Sequence, residues 1–77
     1  MPKLELFYKP TCPFCRKVTS YLTDRPDLGI IMTNIEESHE DRLRLSETGG
    51  KIQVPCLLID GQAMYESDDI ITYLKTL

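Results

Sequence analysis

The chain is short of everything that would mark a membrane, nucleic-acid or secreted disulfide protein. No apolar run approaches the roughly 20 residues needed to cross a bilayer; the longest lies within Val54 to Ile59. Basic residues are outnumbered, nine Lys and Arg against twelve Asp and Glu. A net charge of −3 lacks the basic stripe that neutralises a phosphate backbone, so nucleic acid is not an expected partner. Cysteine is scarce and odd in number, at three, whereas a small secreted scaffold carries an even set. No basic and hydrophobic leader precedes Lys3, and no repeat, low-complexity stretch or linker interrupts the chain. The expectation is one domain over residues 1–77, cytoplasmic, outside the membrane and monomeric, whose cysteines are reactive rather than architectural.

What is present reads as alternating strands and helices. Lys3 to Tyr8 alternates around Leu4 and Leu6 as a strand. After a turn at Lys9-Pro10-Thr11, Pro13 to Asp24 places Phe14, Val18, Tyr21 and Leu22 at helical spacing, with Pro13 suited to the first helical position and Cys12 at the N-cap. Arg25-Pro26-Asp27 ends that helix, and Gly29 opens a strand through Ile30, Ile31 and Met32. Ser38-His39-Glu40-Asp41 resembles a capping sequence for a polar helix carrying Leu43 and Leu45, closed by Gly49-Gly50. Val54 to Ile59 reads as a buried strand, Asp60-Gly61 as a hairpin turn, and Ala63 to Tyr65 as its short partner. Ser67 is expected to cap a last helix that sets Asp68 and Asp69 against the positive dipole end and turns Ile70, Ile71, Leu74 and Leu77 inward. The order βαβαββα predicts an α/β fold: a four-stranded mixed sheet flanked by three helices, its first two strands parallel through a right-handed crossover.

Cys12 and Cys15 carry the chemistry. A C-x-x-C pair between a strand and a helix is the pattern of a redox dithiol, since residues three apart on a first helical turn lie within disulfide reach. Cys12 would meet the unpaired N–H groups of the helix start, with Lys9, Arg16 and Lys17 nearby, and all of these favour thiolate, the attacking species. Cys15, a turn inside, would resolve a mixed disulfide. The competing readings are two structural cysteines or half a zinc site, which needs two more ligands, and only Cys56 and His39 remain. Cys56 reads as a small buried hydrophobe or, if it faces the site, as an oxidisable thiol. His39 reads as a surface residue, and the four tyrosines as packing against the sheet.

These residues resemble the glutaredoxin family over essentially the whole chain. Cys12-Pro13-Phe14-Cys15 is similar to that family's Cys-Pro-Tyr-Cys site, Val54-Pro55 to its Val-Pro with a cis proline, and Ser67-Asp68-Asp69 to its last-helix glutathione motif. The resemblance implies a minimal thioredoxin-like fold and a glutathione-dependent disulfide oxidoreductase. Its cosubstrate would be glutathione, its substrates disulfide-containing or glutathionylated proteins, its electrons would come from the glutathione reductase system, and it would need no metal. It implies that backbone groups of Val54, turned by a cis Pro55, pair with the cysteinyl part of glutathione. Ser67 N–H would hold the γ-glutamyl carboxylate, Asp68 the α-ammonium, and Lys9 the glycyl carboxylate, with Arg42 or Arg44 assisting; Phe14 would lend aromatic surface. Departures are Gln53 for threonine, Phe14 for tyrosine, Glu66 where glycine is common, and Cys56 after the proline. Glu66-Ser67 also resembles the N-terminal domain of glutathione transferases. A thioredoxin-reductase-driven hydrogen donor and a glutathione-binding module, either a dimeric iron–sulfur protein or transferase-like, are the alternative functions.

Overall fold

The computed structural model describes residues 3–77. Strand β1 (Leu4–Tyr8) leads to helix α1 (Pro13–Thr23), a 3-10 turn at Pro26–Leu28, and strand β2 (Ile31–Asn34). Helix α2 (His39–Gly49), the hairpin of β3 (Cys56–Ile59) and β4 (Gln62–Met64), and helix α3 (Ser67–Leu74) complete the order. The sheet runs β2-β1-β3-β4, with β1 parallel to β2 and antiparallel to β3, and β3 antiparallel to β4. The expected βαβαββα arrangement and mixed sheet are therefore what the chain adopts.

Strand alternation divides the core between the two faces of the sheet. Leu4, Leu6 and Leu57 point to one face, where Val18 of α1 and Ile70 and Leu74 of α3 cover them. Phe7, Cys56 and Leu58 point to the other, against Leu45 of α2 and Ile35. The thin apolar face expected of α2 is real: Leu45 is fully buried, while Leu43 stays exposed. Glu5, on the α2 face, is held by Arg44 at 2.7 and 2.8 Å and by Thr33, so a carboxylate in a half-buried strand has its partners.

Several boundaries depart from the sequence reading; β4 runs Gln62–Met64 rather than Ala63 to Tyr65, and α1 ends at Thr23 rather than Asp24. Pro26–Leu28 forms a 3-10 turn closed by Gly29 at φ 60°, and this delays β2 to Ile31. Val54 lies outside the strand, which begins at Cys56 after a cis Val54–Pro55 bond. Ser67 is not the cap of α3 but its first helical residue; Glu66, at φ 71°, occupies the cap position, and no side chain caps the turn. The local pattern of serine before two acids suits a cap, but the hairpin exit turns the backbone one residue earlier.

Candidate functional site

Register gathers the functional loops at one end of the sheet. Phe7 pairs with Cys56 and Tyr8 with Asn34, so the end of β1, the end of β2 and the start of β3 coincide. Met64, ending β4, lies opposite Leu57 and brings the start of α3 to the same end. The ends of parallel strands in an open α/β sheet are where such folds hold ligands.

Cys12 sits at the N-cap of α1 with extended backbone, and Pro13 takes the first helical position as expected. Its N–H donates to Lys9 O at 3.1 Å, which closes the active-site turn, while its carbonyl accepts from Arg16 N–H at 3.0 Å. Burial opposes ionisation of Cys12, but hydrogen bonds from the Cys15 N–H and thiol and from Phe14 N–H, together with the Lys9 charge, outweigh it and hold the thiol below its ordinary value of 9.0. Among the expected cations, Lys9 is the one whose charge favours this thiolate. Cys15 is fully buried, and burial first, then its hydrogen bond to and repulsion from Cys12, push it up to about 11. The Lys9 N–H donates to Cys15 Sγ at 3.5 Å. All three cysteines are free thiols.

A groove of about 360 Å³ borders this turn, lined by Phe14 and Lys17 of α1, Gln53, Val54 and Pro55 before β3, and Glu66, Ser67 and Asp68 at the start of α3. Five of the expected binding residues thus share one surface: Phe14, Val54, Pro55, Ser67 and Asp68. Phe14 is 65% exposed, an apolar wall with no partner among the described residues that buries it. Gln53 Nε2 donates to Glu66 Oε1 at 3.4 Å across the groove. Lys9 lies apart, in a second groove of about 330 Å³ with Ile35, Glu36, His39 and Arg42. Arg42 therefore stands with Lys9, whereas Arg44 does not: Glu5 and Asp41 engage its guanidinium, which lies 4.9 Å over the Phe7 ring.

Lys17 was not among the expected ligand contacts, yet its ammonium pairs with the Asp68 carboxylate and ties α1 to α3 within the groove. Its spacing three residues after Phe14, on the same helical face, is the signal that could have found it. Cys56 is buried on the α2 face, with its thiol pushed up by burial, and lies in the layer opposite α1, so it is a core residue rather than a third site thiol. Among the described residues no group of three or more His, Cys, Asp or Glu side chains is placed to hold a metal ion. Among the described residues no helix is long and apolar enough to cross a membrane.

Comparison with known proteins agrees with this geometry. Residues 6–77 match the N-terminal domain of glutathione S-transferase. Among solved structures, a wheat glutaredoxin is similar at 28% identity and a TM-score of 0.66, over 94% of this chain and 70% of that one. A thioredoxin-like protein superposes with a TM-score of 0.78 at 23% identity, over 97% of this chain and all of that one. A buckwheat glutaredoxin–glutathione complex gives 0.68 at 19% identity, over 97% and 70%. No curated protein sequence matches.

Proposed function

The chain belongs to the glutathione S-transferase N-terminal domain family, and from that premise we propose that it is a glutathione-dependent thiol–disulfide oxidoreductase of the glutaredoxin type. The observation that carries the reading is the asymmetry of the dithiol: a Cys12 thiol made acidic at a helix start, over a buried Cys15 thiol made less acidic. A transferase that only activates glutathione for attack on an electrophile has no use for the second thiol.

In this reading Cys12 thiolate attacks the glutathione sulfur of a mixed disulfide. A Cys12–glutathione disulfide forms, and the substrate leaves as a thiolate that takes a proton. A second glutathione thiolate then attacks that bond, releasing glutathione disulfide and restoring Cys12. With a protein disulfide, Cys12 forms the mixed disulfide with one protein sulfur, and Cys15 loses its proton and attacks Cys12. The protein leaves as a dithiol and a Cys12–Cys15 bridge remains, which two glutathione molecules reduce. Ser67 N–H receives the γ-glutamyl carboxylate, Asp68 the ammonium, Val54 the cysteinyl backbone, and Lys9 with Arg42 the glycyl carboxylate. Support comes from the shared groove, the family match and the similarity to a glutaredoxin solved with glutathione. The cytosol, where glutathione keeps thiols reduced, is the compartment that suits it.

The test is turnover of a small glutathione mixed disulfide with glutathione, glutathione reductase and NADPH. Cys15→Ser should keep most of the activity and Cys12→Ser should abolish it. Equal losses in both variants, or reduction by thioredoxin reductase in place of glutathione, would reject the reading.

A further inference from the structure

The groove beside Cys12 holds an uneven set of charges. Two carboxylates, Glu66 and Asp68, face it from the start of α3, and Lys17 is the single cation among its lining residues. Lys17 comes from α1, one helix away, and pairs with Asp68 although the two are 51 residues apart in sequence. Both side chains keep much of their exposure, 53% and 80%, so either can change partner without unfolding the helix it stands on. Gln53 already engages Glu66, which leaves the Lys17–Asp68 pair as the exposed ion pair of the site.

An incoming γ-glutamyl head carries an ammonium and a carboxylate on one carbon. The ammonium suits Asp68, but the adjoining carboxylate would then lie between two protein carboxylates, with Ser67 N–H as its donor. Opposite charge must stand close by for that placement to be favourable. Lys17 reaches the start of α3, where its ammonium touches the Asp68 carboxylate beside Ser67. We propose that Lys17 is a specificity-determining residue that exchanges Asp68 for the α-carboxylate of the γ-glutamyl group when glutathione binds, so that the ligand zwitterion replaces one ion pair with two. This rests on the glutathione-dependent reading above and names how that site selects an α-amino acid head.

The exchange makes Lys17 a reader of the carboxylate and Asp68 a reader of the ammonium. Two truncated peptides separate these roles: γ-aminobutanoyl-cysteinylglycine keeps the amine and lacks the carboxylate, while glutaryl-cysteinylglycine keeps the carboxylate and lacks the amine. Each is joined, like glutathione itself, to a chromogenic aromatic thiol, and release of that thiol by excess protein is followed by absorbance. The concentration dependence gives a half-saturating concentration and a limiting rate.

For Lys17→Met, and for Lys17→Gln as a second neutral variant, the half-saturating concentration with the glutathione disulfide should rise about three- to tenfold, in the range of a partly desolvated ion pair. The limiting rate should change less, since Lys17 faces Asp68 at the start of α3 and meets the ligand's head rather than its sulfur. The same increase should appear with the glutaryl peptide and vanish with the γ-aminobutanoyl peptide. Lys17→Arg should restore wild-type behaviour, and Lys75→Met, which removes an exposed charge at the far end of α3, should leave all three substrates unaffected. An equal increase with both truncated peptides would reduce Lys17 to a helix–helix tie and overturn the proposal; so would an unchanged or lower half-saturating concentration. Failure of the wild type itself to react with the glutathione disulfide would overturn the parent reading and this one with it, and is told apart because it needs no variant.

Discussion

Replacing Glu66 by glycine should stabilise this protein, although it deletes a side chain that makes a hydrogen bond. Glu66 caps α3 at φ 71° and ψ 118°, a backbone region that residues with a Cβ rarely enter. Holding a non-glycine residue there costs about 1–3 kcal/mol. Glycine removes that cost but loses roughly 0.5–1 kcal/mol through the greater freedom of the unfolded chain. The 3.4 Å bond from Gln53 is long and exposed, and its loss subtracts about 0.5 kcal/mol at most. The balance is a gain of about 1 kcal/mol. At about 2.1 cal/mol/K per residue, 77 residues unfold with an entropy of about 160 cal/mol/K, so the melting temperature should rise by about 6 °C. Glu66→Ala is the decisive control, because alanine loses the same hydrogen bond yet keeps the Cβ and with it the strain. Calorimetry should rank glycine above both glutamate and alanine. If glycine melts no higher than alanine, the backbone argument fails.

Three further outcomes test other parts of the structure. A Cβ on Gly49 would lie 1.8 Å from the Tyr65 hydroxyl and 3.0 Å from its Cζ; Gly49→Ala should therefore cost about 1–3 kcal/mol, and Tyr65→Phe should recover much of that loss in a double-mutant cycle read by urea unfolding. Alkylation of Cys12 by iodoacetamide should rise with pH through a midpoint below 9.0, while Cys15 stays unlabelled, and Lys9→Met should move the midpoint up; a midpoint at or above 9.0, or labelling of Cys15 first, would contradict the assignment. The hydrogen bonds from Arg44 hold Glu5 below its ordinary 4.5, so their contribution is present above that value and fades as pH falls through the lower folded value. Arg44→Met should accordingly lose about 1–2 kcal/mol at neutral pH and progressively less in acid, and a pH-independent loss would assign the effect to packing on Phe7.

Local rules made most of this molecule legible in its sequence. Alternation in Leu4 to Tyr8 sends Leu6 and Phe7 to opposite cores, and the C-x-x-C spacing, with Pro13 behind it, identifies a thiol at a helix start. Val54-Pro55 and Ser67-Asp68, twelve residues and a hairpin apart, do meet in one groove. What was not legible depends on contacts between elements. Spacing places Lys17 on the Phe14 face of α1, but its pairing with Asp68, 51 residues away, exists because α1 and α3 cover the same sheet face. Arg44 looked like a ligand residue because its engagement by Glu5, 39 positions away on β1, is likewise a tertiary fact. Ser67 departs from the cap position for a related reason: the helix start is set by the exit from the β3–β4 hairpin at Glu66, not by the side chain that would best satisfy it.

The same dependence on neighbours makes Cys15 respond to the state of Cys12. Burial is the largest cause of its raised value of about 11, but the next two that raise it are its hydrogen bond to Cys12 and repulsion from the Cys12 charge. Both disappear when Cys12 enters a mixed disulfide, whereas the Lys9 N–H and the Lys9 charge, which favour the Cys15 thiolate, stay in place. Cys15 should therefore become more acidic at the stage where the proposed cycle needs it to attack, and remain inert before then. Cys12→Ala reproduces the loss of the Cys12 thiolate without adding a ligand. The Cys15 titration, followed by the carbon-13 shift of its Cβ, should move below about 11 in that variant. An unchanged or higher midpoint would mean that burial alone governs Cys15, and resolution of a protein mixed disulfide would then require a partner-induced opening of the helix start.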